Sequence, residues 1–84
     1  MNPWGVTPGE AATMDLWLQH CSAKGCARAS GKHAKTHEAQ KRSASARMRQ
    51  ADPELRHTLH CLLAWHDWRK ANPAPASAAG ATHA

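Results

Sequence analysis

Apolar residues recur every three or four positions in two parts of the chain, over residues 14–18 and again over residues 55–63. This spacing places each set along one face of an α-helix. The segment Thr7-Pro8-Gly9-Glu10 precedes the first set and is typical of a capped helix start, because the Thr and Glu side chains can each accept the backbone N–H of the other residue. We therefore predict a first helix over residues 8–20.

Turn-forming residues divide the rest of the chain into further helices. Ser22 can cap a short second helix, which Ser30-Gly31 would end. Asp52-Pro53-Glu54 combines a capping residue, a proline suited to the first helical position and an acid in the first turn, so it favours a helix start at Pro53. The predicted helices cover residues 8–20, 23–29, 34–50 and 53–70.

The composition also favours helices. Alanine, a strong helix former, is abundant, whereas β-branched residues are scarce in the chain of 84 residues. We predict an all-α fold with three parts. These are a short N-terminal leader over residues 1–6, a four-helix domain over residues 7–70, and a disordered Ala/Pro-rich tail over residues 71–84. The pattern favours a four-helix helix-turn-helix domain but does not separate it from a generic small helical bundle.

Basic residues concentrate in the middle of the chain, and the formal net charge is +5. From Lys24 to Arg49 there are eight Lys or Arg residues and one acid, Glu38, whereas the remainder has three basic and five acidic residues. Such a distribution is typical of a face that binds the phosphates of a nucleic acid. A solvated basic surface without a polyanionic partner has the same pattern.

The sequence disfavours several classes of protein. Three cysteines, an odd number, and the lack of a secretory apolar region favour a soluble cytoplasmic protein with free thiols. No apolar stretch approaches the length of a membrane span, so we predict no membrane partner. The chain has no glycine-rich phosphate loop and no recognisable Cys-His or paired-carboxylate motif, so we predict neither an enzyme nor a cofactor.

Four blocks of residues occur in order between Val6 and Met48. They are Val6-Thr7-Pro8-Gly9-Glu10, His20-Cys21-Ser22-Ala23-Lys24-Gly25-Cys26-Ala27, His33-Ala34-Lys35-Thr36-His37 and Ala46-Arg47-Met48. Together they resemble the C-terminal DNA-binding domain of the LuxR/FixJ (NarL-like) family of bacterial regulators. The chain departs from the family pattern at Ser30 and His37, where the family has Leu and Val. The resemblance suggests a diverged, stand-alone member, encoded by a bacterium, a phage or another mobile element.

The resemblance implies a transcription regulator that binds double-stranded DNA with its third helix in the major groove. A helix in that position needs long polar or cationic side chains on its outer face. The residues predicted to read base edges are Lys35, Glu38, Ala39 and Arg42. Those predicted to contact phosphates are Lys24, Thr36, Lys41 and Arg47.

Cysteine and histidine raise the question of a metal site. Cys21, Cys26, His33 and His37 follow one another along the chain. Six residues separate the two pairs, whereas a zinc finger of the two-Cys, two-His kind has about twelve, so we predict no metal site. A zinc-stabilised module is the weaker alternative. In the fourth predicted helix we expect His57 and His66 to face solvent and Cys61 to be a small buried residue.

The fourth predicted helix also carries two tryptophans, Trp65 and Trp68. They can cover the small core, or they can form an exposed patch for a second copy of the chain, since tryptophan is enriched at interface anchors. The resemblance likewise implies dimer contacts through this helix. A second class of function therefore stays open, a small helical adaptor or inhibitor that binds another protein through the fourth helix.

Overall fold

A computed structural model describes residues 2–74. In this range the chain forms four α-helices and no β-strand, which confirms the predicted all-α fold. The helices are α1 (Pro8–His20), α2 (Ala23–Ser30), α3 (Ala34–Ala51) and α4 (Thr58–Ala71). None of them is both long enough and apolar enough to cross a lipid bilayer. Most of the predicted tail, residues 75–84, lies outside the described range.

Local chemistry sets both ends of α1. The backbone N–H of Glu10 donates to Thr7 Oγ1 at 3.3 Å, and the backbone N–H of Thr7 donates to Glu10 Oε1 at 3.0 Å. This capping box satisfies N–H groups that a helix start leaves without partners. Cys21 ends the helix in the left-handed conformation, with φ of 55°, and its N–H donates to the Trp17 carbonyl at 2.8 Å. The predicted bounds of the first helix are confirmed.

The predicted helix start at Pro53 is wrong. Asp52 Oδ1 accepts the N–H of Glu54 at 3.2 Å, and the Asp52 carbonyl accepts the N–H of Leu55 at 3.0 Å. Asp52 therefore makes a turn instead of capping a helix, and α4 begins only at Thr58. The physical reason is tertiary, because the turn lets Leu55 pack against the core before α4 begins.

The later start of α4 changes which leucines are buried. Leu55 lies before the helix, and within it Leu62 packs against the core. Leu59 and Leu63 point outward, with 62% and 53% of their surface exposed. The apolar stripe predicted for the fourth helix is therefore divided between an inner and an outer face.

The centre of the fold is the pair α1 and α3. Each of these helices contacts the other three, whereas α2 and α4 flank the pair without touching each other. The buried apolar residues of the main core are Val6, Met14, Ala44, Met48, Cys61 and Trp65. Trp65 is fully buried and Trp68 packs against it, so both cover the core, the first of their two predicted roles.

The segment predicted as a leader is packed from Asn2 onward. The Asn2 side chain donates to the Val6 carbonyl and accepts the Val6 N–H, each at 2.9 Å, which closes a loop. Gly5 lies in this loop with φ of 74°, a conformation that favours glycine. The loop places Val6 in the core and sets Trp4 against Trp65, with 5.9 Å between ring centroids. These residues therefore belong to the packed domain.

Candidate nucleic-acid interface

A three-residue turn, Gly31 to His33, joins α2 to α3. Gly31 adopts the left-handed conformation, with φ of 75°, and its N–H donates to the Ala27 carbonyl at 2.8 Å. A residue with a side chain is strained in this conformation, although the space around Gly31 is open. Glycine therefore ends α2 within one residue and allows α3 to begin at Ala34. The result is a helix, a tight turn and a second helix, as the sequence predicts.

A buried histidine fixes this turn to the rest of the domain. His37 is 2% exposed, and its ring lies 3.0 Å from Thr13 Oγ1 through Nδ1 and 2.6 Å from Ser30 Oγ through Nε2. The Thr13 hydroxyl donates to Gln40 Oε1, so Thr13 accepts the proton of His37 Nδ1. Nε2 then accepts the hydroxyl proton of Ser30. Hydrogen bonds thus connect α1, the end of α2 and the start of α3.

The surroundings of this buried imidazole favour its neutral form. Burial lowers the pKa of His37, and the nearby charge of Lys32 lowers it further. The sequence singles out Ser30 and His37 as two separate departures from apolar residues of the family pattern. The structure shows that they are partners, since each satisfies the polar group of the other. A matched pair of departures seven residues apart is the signal that could have revealed this contact.

The outward face of α3 is basic. Lys35, Arg42 and Arg49 follow at seven-residue intervals, close to two helical turns, so they lie along one stripe of the helix. All three are exposed, and no carboxylate in residues 2–74 forms an ion pair with them. We call these residues the α3 stripe. The inward-facing residues of the same helix are His37, Ala44, Ser45 and Met48.

The structure brings three predicted contact residues together at one cleft. Glu38, Lys41 and Arg42 line it, along with residues of the other helices. The predicted base-reading residues Lys35 and Ala39 are exposed on α3 outside the cleft. Lys24 on α2 and Thr36 in the first turn of α3 are also exposed and do not line it.

Arg47 is held by α1. Its Nε lies 2.9 Å and 3.2 Å from the two carboxylate oxygens of Glu10, which is almost fully buried. Burial raises the pKa of Glu10, but hydrogen bonds from the Thr7 backbone and the Arg47 side chain outweigh this effect, so the pKa is lower than usual. Among the predicted phosphate contacts, Arg47 is the one that forms an ion pair within residues 2–74.

The cysteines and histidines are dispersed. Within residues 2–74, no three side chains of the Cys, His, Asp or Glu type lie close enough to share a metal ion. Burial raises the pKa of both Cys26 and Cys61, and the buried position predicted for Cys61 is confirmed. His57 and His66 are exposed, as predicted.

Comparisons of the chain with models of known protein families, with curated proteins and with solved structures found no match.

Proposed function

We propose that this chain binds double-stranded DNA with the outer face of α3 in the major groove and acts as a transcription regulator. One observation carries the proposal: the α3 stripe is exposed, basic and without acidic partners in the described residues. Guanidinium and ammonium groups on such a face can donate both to phosphates and to the O6 and N7 acceptors of guanine.

The shape of α3 supports the same proposal. Ala39 and Ala46 lie on the exposed side of the helix, near the α3 stripe. Small side chains there allow the helix backbone to approach the floor of the groove, while the longer residues around them reach base edges. We assign base reading to Lys35, Glu38, Ala39 and Arg42, and phosphate contacts to Lys24, Thr36 and Lys41. Arg47 is left out because its Nε is paired with the Glu10 carboxylate, which ties the side chain to α1.

The resemblance to LuxR/FixJ-type domains, which rests on four short blocks of residues, suggests the same function. Its four blocks fall at the start of α1, at the start of α2, at the start of α3 and in the later turns of α3. These are the places where helix caps and interhelical packing constrain the sequence of a helix-turn-helix domain. We propose that the chain is a diverged member of this type.

A fluorescence-anisotropy titration tests the proposal. Labelled duplexes of random sequence and of the DNA upstream of the coding sequence are titrated at about 50 and about 200 mM salt. If the protein neutralises about six phosphates, its affinity should fall roughly a thousandfold from the lower to the higher salt concentration. Lys35→Ala and Arg42→Ala should weaken binding strongly. Lys70→Ala, which removes an exposed cation from α4, is the matched control and should bind like the parent protein. Absence of binding at low salt would overturn the proposal.

The outer face of α4 favours a second candidate function. Leu59 and Leu63 are exposed one turn apart, and such a pair can anchor another protein or a second copy of this chain. Trp65 cannot report on this role because it is buried, so its substitution would damage the fold. Leu59→Lys with Leu63→Lys is the informative variant. If this variant no longer forms a dimer in light scattering, or no longer binds a partner protein, the α4 function is supported. If its oligomeric state and its binding are the same as those of the parent protein, α3 is the one candidate surface.

A further inference from the structure

All four helices contribute to one cleft beside the α3 stripe. Its lining residues are Trp17 of α1, Ala23 of α2, Glu38, Lys41 and Arg42 of α3, and Thr58 of α4. The three α3 residues are among the predicted DNA contacts, whereas Trp17 and Thr58 have no role in the proposed function so far. The cleft is therefore where the basic helix meets the rest of the domain.

Trp17 holds the cation of this cleft in place. The Lys41 Nζ lies 3.7 Å from the centroid of the Trp17 ring, within the range of a cation–π contact. Both side chains are half-buried. A free lysine side chain has about 2 kcal/mol of rotamer entropy to lose on binding, and a lysine already packed on an aromatic ring has less left to lose. The indole ring therefore pre-orders the ammonium group at the cleft.

The cleft has an excess of positive charge. Lys41 and Arg42 contribute two positive charges and Glu38 one negative charge, and none of the three forms an ion pair within residues 2–74. A group that carries one negative charge complements this set. The lining includes Thr58, the first residue of α4, whose preceding cap residue His57 makes no side-chain hydrogen bond to the helix. The Thr58 hydroxyl can thus add a donor for an oxyanion.

We propose that this cleft holds one backbone phosphate of the bound duplex, with Lys41 as its cationic contact, while Arg42 adds positive charge at the rim and reaches toward the bases. Trp17 is the positioning residue for Lys41. The inference rests on the proposed function, and it adds a defined anion site that anchors α3 in register on the DNA. Contacts to phosphates fix the orientation of a reading helix, whereas contacts to bases select the sequence. Trp17 would thus influence DNA binding without touching DNA.

The test measures the salt dependence of duplex binding for five proteins. The parent protein, Lys41→Met, Lys41→Arg, Trp17→Leu and the double variant of Trp17→Leu with Lys41→Met are titrated with the same duplex over a range of salt concentrations, after circular dichroism has verified that each is folded. Loss of one phosphate contact should reduce the slope of log K against log salt by about 0.9, which is roughly an eightfold loss of affinity at about 0.1 M salt. Lys41→Met should show this loss, and Lys41→Arg should retain the parent slope. Trp17→Leu should weaken binding in the parent background but have little further effect when combined with Lys41→Met.

A second variant tests the charge balance. Glu38→Gln should raise affinity for duplex DNA of random sequence several-fold, because it removes the one negative charge at the site. Asp67→Asn, which removes an exposed carboxylate from α4, is the control and should leave affinity unchanged.

Modified DNA provides a further test of the cleft. When single phosphates of the duplex are replaced by neutral methylphosphonates, one position should weaken DNA binding by the parent protein but not by the Lys41→Met variant.

The outcomes separate the two proposals. A parent protein that does not bind DNA at low salt overturns both of them. A parent protein that binds, with unchanged slope in Lys41→Met, overturns the phosphate cleft and leaves the proposed function in place. Equal effects of Trp17→Leu in the parent protein and in the Lys41→Met variant would show that Trp17 does not act through the lysine.

Discussion

The carboxylate of Asp15 in α1 forms a two-point ion pair with the guanidinium of Arg69 in α4. The Asp15 oxygens lie 3.0 Å from Arg69 Nε and 3.0 Å from a terminal guanidinium nitrogen. Asp15 Oδ1 also accepts the indole N–H of Trp65 at 2.7 Å. The Arg69 guanidinium lies over the rings of Trp65 and Trp68, so one acid orders the aromatic end of the core. This contact fixes the last turns of α4 against α1.

Substitution of Asp15 should therefore destabilise the fold more than an ordinary surface change. Asp15→Ala removes the partner of Arg69 and leaves the Trp65 N–H without its acceptor, so we expect a loss of about 2 kcal/mol in the free energy of unfolding. Asp15→Asn retains an acceptor for Trp65 and should cost about half as much. The control is Asp67→Ala, which breaks the exposed ion pair with Lys70 and should cost under about 0.5 kcal/mol. Urea unfolding measures all three, and equal losses in Asp15→Ala and Asp67→Ala would contradict the prediction.

His37 should make the stability depend on pH. Its pKa is lowered in the folded protein, so below about pH 6.5 the unfolded chain binds more protons than the folded chain. The stabilisation is complete above that pH and is lost as the pH falls toward the lowered pKa of His37. Urea unfolding at about pH 7.5 and about pH 5.5 should show the loss in the parent protein.

A pair of variants assigns this pH dependence to His37. His37→Val cannot titrate and should reduce the difference in stability between the two pH values. His66→Gln removes an exposed histidine on α4 and should retain the difference. If His37→Val retained the full pH dependence, another group would be responsible. His37→Val leaves Ser30 and Thr13 without their histidine partner. We therefore expect Ser30→Leu to reduce the free energy of unfolding less in the His37→Val variant than in the parent protein.

Ser45 offers a stabilising substitution. Its hydroxyl is buried where α3 packs on α4 and has no hydrogen-bond partner among residues 2–74. Burial of such a group costs free energy that an alanine does not incur, and alanine is also the better helix former. We expect Ser45→Ala to raise the free energy of unfolding by about 1 kcal/mol, of which helix propensity supplies about 0.5 kcal/mol at most. Urea unfolding that shows no gain would mean that the hydroxyl has a partner in solution.

Arg47 and Arg42 should separate stability from DNA affinity. Arg47→Gln removes the ion pair with the buried carboxylate of Glu10, so we expect a loss of about 1–2 kcal/mol in the free energy of unfolding and little change in the salt slope of DNA binding. Arg42→Gln, at an exposed position without an ion pair in residues 2–74, should weaken DNA binding and leave the free energy of unfolding nearly unchanged. Urea unfolding and anisotropy titrations of the two variants make the comparison. A reduced salt slope in Arg47→Gln would return Arg47 to the interface.

The ends of the helices can be predicted where the signals act over three or four residues. Thr7 and Glu10 form the capping box that their spacing predicts, and Gly31 ends α2 one residue later than predicted. The same reasoning misplaced the start of α4, because Asp52-Pro53-Glu54 is equally compatible with a helix cap and with the turn that occurs. Packing of Leu55 on the core separates these alternatives, and no local pattern contains that contact.

The candidate site divides in the same way. The basic segment and the seven-residue spacing of Lys35, Arg42 and Arg49 can be read from the sequence, since a helix repeats its faces at fixed intervals. The pairing of Arg47 with Glu10 joins residues 37 positions apart, and the stacking of Lys41 on Trp17 joins different helices. The cap of α1, the end of α2 and the location of positive charge depend on neighbours along the chain, so they can be predicted without a fold. Ion pairs and stacking depend on distances between helices that pack around one small core, so the cations that remain available to a partner are known only from the folded chain.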